Sequence, residues 1–261
     1  MRVVILAGGL GTRISEETAD KPKPMVLIDG RPILWHLMNI FSHQGVNDFV
    51  LALGYRSEVI KRWLIDLNDL EGSIEIETLT KKVSHLQRAT DLNWKVTALE
   101  TGLTTQTGGR IAQTMRAFPN ERLIVTYGDG LANVSIPELI RFHESHGKLA
   151  TLTAVRPPAR FGHLILDEGQ KVSHFGEKNQ SDSGWINGGF FVLEPEVLNY
   201  IQGDNEPFEV GALPRLASEG KLFAYQHEGF WQPMDTLREK QELEKYAKQS
   251  TPPWLDLQLS E

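Results

Sequence analysis

The residues best suited to chemistry cluster near the start of the chain. Gly8, Gly9 and Gly11 are followed by Thr12 and Arg13, and Lys21 and Lys23 stand among prolines in Lys21-Pro-Lys-Pro-Met25. Glycine lets backbone approach a ligand with no Cβ in the way. Several amides can then face one anion, and Arg13 adds a planar, permanently charged fork that suits phosphate oxygens. A tight strand-to-helix turn is the plainer alternative for the glycines alone; the added cations favour a bound phosphate. Two acids stand where chemistry could use them, each a weak signal alone: Asp129 within Gly128-Asp-Gly130, at the end of an expected strand, and Asp235 just ahead of Thr236. Polyphosphate chemistry needs positioning and charge neutralisation rather than a covalent nucleophile. Taken alone, Asp129 reads more readily as a turn residue, and Asp235 as an extra acid near a helix N-terminus.

Other phosphate and metal motifs fail at single residues. A dinucleotide fingerprint counted from Gly9 and Gly11 needs glycine at position 14, where the chain has Ile14. A P-loop needs Gly-Lys followed by Ser or Thr, and that tripeptide is absent. No His-x-x-x-His or His-Glu-x-x-His pair occurs, and the spacing of His143 and His146 predicts two residues on a helix surface rather than a zinc site.

The elements that must hold these residues alternate strand and helix, which predicts an α/β fold with a mostly parallel sheet and right-handed crossovers. Val3 to Ala7 has the unbroken apolar character of a strand buried on both faces. Helices are expected over 31–44, from a cap at Ser57, over 107–118 and over 136–146. Strands are expected over 48–53, 94–99, 123–127 and 150–155. Residues 74–78 alternate as a half-exposed strand, and 81–93 form a polar excursion that packs on a neighbour or a subunit. From Pro157 onward, β-like segments at 162–166, 171–175 and 185–193 with sparse helices predict a smaller mixed β lobe on the sheet edge. Helices over 195–201 and 208–219, a strand over 222–226 and a long helix capped by Thr236 close the chain, with Trp254 docking the tail. The Thr107-Gly-Gly-Arg110 turn is either a second anion-binding wall or an ordinary N-cap.

Composition narrows the function classes. The chain has 261 residues, 40% of them apolar, and a net charge of −7, which argues against a nonspecific nucleic-acid binder. In so acidic a chain, a local gathering of cations marks an anion's position. The absence of cysteine removes disulfides and thiolate chemistry and fits a reducing cytoplasm. The chain opens on a strand rather than a signal peptide, and no apolar run near 18 residues predicts a membrane span.

The opening Ala7-Gly-Gly-Leu-Gly-Thr-Arg13, with Lys23 ten residues on, resembles the signature of sugar-phosphate nucleotidylyltransferases, and more fully their glucose-1-phosphate cytidylyltransferase branch. The matching segments recur in order: Lys21-Pro-Lys-Pro-Met25, Pro32-Ile-Leu-Trp-His36, Thr107-Gly-Gly-Arg110, Thr126-Tyr-Gly-Asp-Gly130, Ile186-Asn-Gly-Gly-Phe-Phe191 and Gly229-Phe-Trp-Gln-Pro-Met-Asp-Thr236. The resemblance implies a Rossmann-like nucleotide-diphospho-sugar transferase fold, with 1–155 as the nucleotide-binding portion and 156–261 as the sugar-phosphate-binding portion of a single domain. It implies a transferase that joins CTP and α-D-glucose 1-phosphate, with Mg²⁺ held by Asp129 and Asp235, working as a homo-oligomer. Leu6, Ala7, Gly8, Gly9, Gly11, Thr12 and Arg13 would grip the nucleotide, with Arg13, Lys23 and Asp129 as catalytic residues. Thr105, Arg110 and Gly128 would lie against base and ribose. Glu177, Lys178, Asn187 and Gly188 would meet the sugar phosphate. UTP or dTTP in place of CTP, and a non-catalytic nucleotide-sugar-binding regulator, stay open as alternatives. One motif departs: the family carries Glu-x-Glu-Pro-Leu where this chain has Glu209-Val-Gly-Ala-Leu213, a change expected to touch the sugar pocket or subunit contacts.

Overall fold

A computed structural model describes residues 1–9, 11, 14–70, 72–87, 92–157, 162–166, 172–177 and 184–257; of Ser15, Asn68, Asp69, 162–166 and 172–177 it describes the backbone alone. Seven strands form one sheet: β1 (Arg2–Ala7), β2 (Asp48–Leu53), β3 (Lys95–Glu100), β4 (Leu123–Tyr127), β5 (Ala150–Val155), β6 (Ile186–Leu193) and β7 (Leu222–His227). Their order across the sheet is β7-β5-β6-β4-β1-β2-β3. β1 runs parallel to both β2 and β4, β2 to β3, and β5 to β7; β6 alone is antiparallel to its neighbours β5 and β4. β1, apolar from Val3 to Ala7, has helices on both sides, as a central parallel strand requires, and Val3, Val4 and Ile5 are wholly buried.

The sheet corrects one expectation. Residues 186–193 do not belong to the smaller lobe: they form β6, which enters the middle of the main sheet. Of the segments expected in the lobe, the antiparallel ribbon of Gly162–Leu166 and Val172–Glu177 does stand off the main sheet. A short apolar run has the same character in a small lobe and in a central strand, so periodicity could not separate the two.

Helices cover both faces. On one side α1 (Ile33–His43) packs Leu34, Leu37 and Phe41 against Phe49, Phe190 and the tail residue Trp254. On the other, α2 (Thr107–Ala117) lays Ile111 and Met115 against Val4, Val125 and Phe191. The tail docks as expected: Trp254 is buried edge-on to His36, and Asn133 Nδ2 donates to the carbonyl of Asp256. The polar excursion is a hairpin of Ser73–Glu77 and Lys82–Gln87 that leaves Ile76, Leu79 and Leu86 exposed.

Three local expectations change. Ser57 does not cap its helix, because its hydroxyl donates to Glu100. The helix expected over 208–219 begins only at Ala212. In α3 (Ile136–His146), His143 is buried rather than on the surface, since it continues the inward stripe of Ile136 and Leu139. Its imidazole lies between the Thr151 hydroxyl and the Glu194 carboxylate. Among the described residues, no helix is long and apolar enough to cross a membrane.

Candidate active site

Parallel neighbours β1 and β4 end at the same level, with Leu6 opposite Tyr127, so the loops that follow them share one rim. This is where open α/β sheets bind ligands, beyond the carboxyl ends of the strands. Gly128 follows β4, and its N–H donates to the Leu6 carbonyl. A Cβ at Gly128 would fall 2.9 Å from Pro24 and 3.0 Å from that carbonyl, so only glycine fits.

Asp129 and Asp235, 106 residues apart in the chain, are brought together by a short antiparallel ribbon. Trp231–Pro233 pairs with Gly130–Ala132, Pro233 lying opposite Gly130. The Met234 N–H then donates to the Asp129 carbonyl, which sets Asp235 beside Asp129. A capping box fixes the next turn. Thr236 accepts from the Glu239 N–H, and the Glu239 carboxylate accepts from the N–H groups of Asp235 and Thr236. Asp235 is thereby held at the mouth of a helix with its carboxylate turned to Lys23.

Lys23 meets both acids. Its Nζ donates to Asp129 Oδ2 at 2.7 Å and to Asp235 Oδ1 at 2.6 Å. The two carboxylate oxygens therefore lie no farther apart than those bonds end to end, 2.7 plus 2.6 Å. Burial works to lower the ammonium's pKa, but the two carboxylates outweigh it and hold Lys23 above the ordinary lysine value. The two carboxylates thus face one positive charge. The donor set fits Mg²⁺, which prefers oxygen ligands and few protein carboxylates. Among the described residues no group of three or more His, Cys, Asp or Glu could hold a metal.

One cleft gathers Leu6, Ala7, Gly8, Gly9, Gly11, Lys23, Thr105, Arg110, Gly128, Asp129 and Asp235, all singled out in the sequence. Asn187 and Gly188 line a smaller cavity that shares Tyr127 and Asp129 with the cleft. Thr12, Arg13 and Lys178 lie outside the described residues, as does the side chain of Glu177, whose backbone ends the 172–177 strand. Lys21 does not line the cleft and pairs with Glu17 at 3.7 Å.

Arg110 is buried, with no carboxylate among its hydrogen-bond partners in the described residues. Its guanidinium donates to the Leu53 carbonyl at 2.8 Å, to the Gly8 carbonyl at 2.9 Å and to the Thr101 hydroxyl. Burial holds it below the ordinary guanidinium value. It packs so closely on the glycine loop that a Cβ at Gly8 would meet Nη1 at 2.1 Å. Arg110 thus lines the cleft while tying the glycine loop, through the Gly8 carbonyl, to the end of β2 and to Thr101.

Sequence reasoning passed over Pro24, Gln106 and Tyr127 in the cleft, and Trp231 and Pro233 in the smaller cavity. The position of Tyr127, last in a buried strand ahead of Gly-Asp-Gly, was the available signal. Trp231 Nε1 donates to the Gly188 carbonyl at 2.9 Å and so fixes the start of β6.

The profile of the Nucleotidyl transferase family matches residues 2–256. The chain belongs to that family. It is 45% identical over 256 residues to the glucose-1-phosphate cytidylyltransferase of Salmonella typhi, covering 97% of this chain and 98% of that protein. It is 44% identical to a probable glucose-1-phosphate cytidylyltransferase of Bacillus subtilis (strain 168), covering 97% and 99%. Among solved structures, HddC from Yersinia pseudotuberculosis superposes with a TM-score of 0.70 at 27% identity, covering 95% of this chain and 99% of that one. As a nucleotidyl transferase, the protein carries its converging acids and glycine loop on one rim of the shared sheet.

Proposed function

We propose that the protein joins CTP and α-D-glucose 1-phosphate to give CDP-glucose and pyrophosphate, with Mg²⁺ as its metal. The observation that carries this reading is the meeting of Lys23, Asp129 and Asp235 on the glycine-lined cleft. The names and near-complete coverage of the Salmonella and Bacillus relatives support the choice of CTP and glucose 1-phosphate.

A phosphate oxygen of the sugar phosphate forms a bond to the α-phosphorus of CTP. The bond from that phosphorus to the oxygen bridging to the β-phosphorus breaks, and its electron pair leaves with pyrophosphate. The protein's share is orientation and charge. Leu6, Ala7, Gly8, Gly9 and Gly11 present backbone to the nucleotide, with Thr105 and Gly128 closing the base and ribose side. Lys23, protonated and poised at the acids, meets negative charge that builds on the transferring phosphoryl. Asp129 and Asp235 would hold Mg²⁺, which supplies further neutralisation of the polyphosphate and helps align it. Arg13 belongs with Lys23 at the triphosphate, and Glu177, Lys178, Asn187 and Gly188 with the sugar phosphate. In this reading 1–155 supplies the nucleotide side and 156–261 the sugar side. The exposed Ile76, Leu79 and Leu86 favour a homo-oligomer.

Pyrophosphate release from CTP, UTP and dTTP, each with glucose 1-phosphate and with or without Mg²⁺, tests the reading. Release with CTP, lost on removing Mg²⁺, is expected; preference for another base, or no release with any, overturns it.

A further inference from the structure

Glu209 does not line the cleft, yet it holds two walls of the site together. Its Oε2 accepts from the Thr107 hydroxyl at 2.7 Å, and its Oε1 accepts from the Tyr127 phenol. Thr107 is committed on its other side, where its Oγ1 accepts from the Phe208 N–H at 2.8 Å. Tyr127 has one proton to give, and Glu209 takes it. The phenol oxygen must then accept what comes next, the Asn187 Nδ2 at 3.2 Å. Asn187 Oδ1 in turn accepts from the Gly189 N–H at 2.9 Å. Every donor and acceptor in this chain has one consistent assignment, which also fixes which way the Asn187 amide points. One Nδ2 hydrogen and one Oδ1 lone pair remain for a ligand.

The ring of Tyr127 is fixed as firmly as its hydroxyl. A Cβ at Gly189, whose φ is +85°, would fall 2.5 Å from Tyr127 Cδ2, and Phe191 meets the ring edge-on at 5.9 Å. Gly211, in the motif that departs from the family, leaves room for Glu206, whose carboxyl carbon stands 2.2 Å from where a Cβ would be. Glu209 is the acid of that motif that reaches the site.

We propose that Glu209 and Tyr127 are positioning residues that orient the Asn187 amide for a sugar phosphate and tie that orientation to the Thr107 wall of the nucleotide cleft. The proposal rests on the assignment of Asn187 to the sugar-phosphate side.

The test is steady-state pyrophosphate release with CTP and glucose 1-phosphate varied in turn, for Tyr127→Phe, Glu209→Gln, the double variant and Asn187→Ala. Tyr127→Phe keeps the ring and removes the hydroxyl. It is expected to raise KM for glucose 1-phosphate about tenfold while KM for CTP and the melting temperature hold. Glu209→Gln is expected to raise the same KM, and the double variant to exceed the larger single effect by less than twofold, because both cut one chain. An unchanged sugar-phosphate KM in Tyr127→Phe, or multiplicative effects in the double variant, would overturn the proposal. If Asn187→Ala raises that KM while Tyr127→Phe and Glu209→Gln do not, the relay fails and the sugar-side reading stands. If Asn187→Ala leaves it unchanged, both fall. Should one single variant fail to fold, the other still decides through its KM.

Discussion

Replacing Arg110 by methionine keeps most of the stem and removes the guanidinium. Three hydrogen bonds from a charged donor disappear: those to the carbonyls of Leu53 and Gly8 and to the Thr101 hydroxyl. Hydrogen bonds to charged groups each contribute about 1.5–3 kcal/mol. Two effects reduce the sum. Neither carbonyl is orphaned, since Leu53 keeps the N–H and hydroxyl of Thr101 and Gly8 keeps the N–H of Tyr55. The cation also no longer has to be desolvated, which offsets part of the loss. A net cost of about 2–3 kcal/mol follows, a fall in melting temperature of roughly 4–12 °C for a chain of this size. Thermal and urea unfolding measure it, with the nucleotide KM as a second readout because the loop is released. Gly8→Ala sharpens the test: its Cβ would strike Arg110 Nη1, so the substitution should destabilise the parent strongly and the methionine variant much less. A variant as stable as the parent, or additive effects of the two changes, would refute the buttressing role.

Acid should weaken the fold through its histidines. Burial lowers the pKa of His36, His143 and His227, against the pull of the Ile28 and Phe230 carbonyls and the Glu194 carboxylate. A depressed folded pKa means that the unfolded chain binds protons first. The stability is thus intact above the unfolded value of about 6.5 and is lost as pH falls below it, by at most about 1.4 kcal/mol per pH unit for each histidine; urea midpoints between pH 8 and 5 should show it. Trp254→Ala empties a buried site against His36 and Phe230 and should cost about 3–5 kcal/mol in chemical denaturation, against nearly nothing if the tail only rests on the surface.

The sequence was most informative where a residue's neighbours in the chain are also its neighbours in space. Val3 to Ala7 is apolar on every position because β1 is covered on both faces, and the glycines after it announce a loop that something approaches closely. The pairing of Asp129 with Asp235 was legible only through family resemblance. The ribbon that joins them has three residues a side, too short to carry any period. Glu209 stood out as a departure from a motif, but its partners Thr107 and Tyr127 lie 102 and 82 residues away and left no local trace. His143 could have been placed inside, since it extends the stripe of Ile136 and Leu139; attention to its spacing from His146 hid that stripe.

The account depends most on Asp129 and Asp235 sharing one cation. Calorimetric titration with Mg²⁺ in the presence of CTP, on the parent and on Asp129→Asn and Asp235→Asn, addresses this directly. Either substitution should weaken metal binding by tenfold or more while circular dichroism is unchanged; a variant that binds Mg²⁺ as tightly as the parent would contradict the shared site.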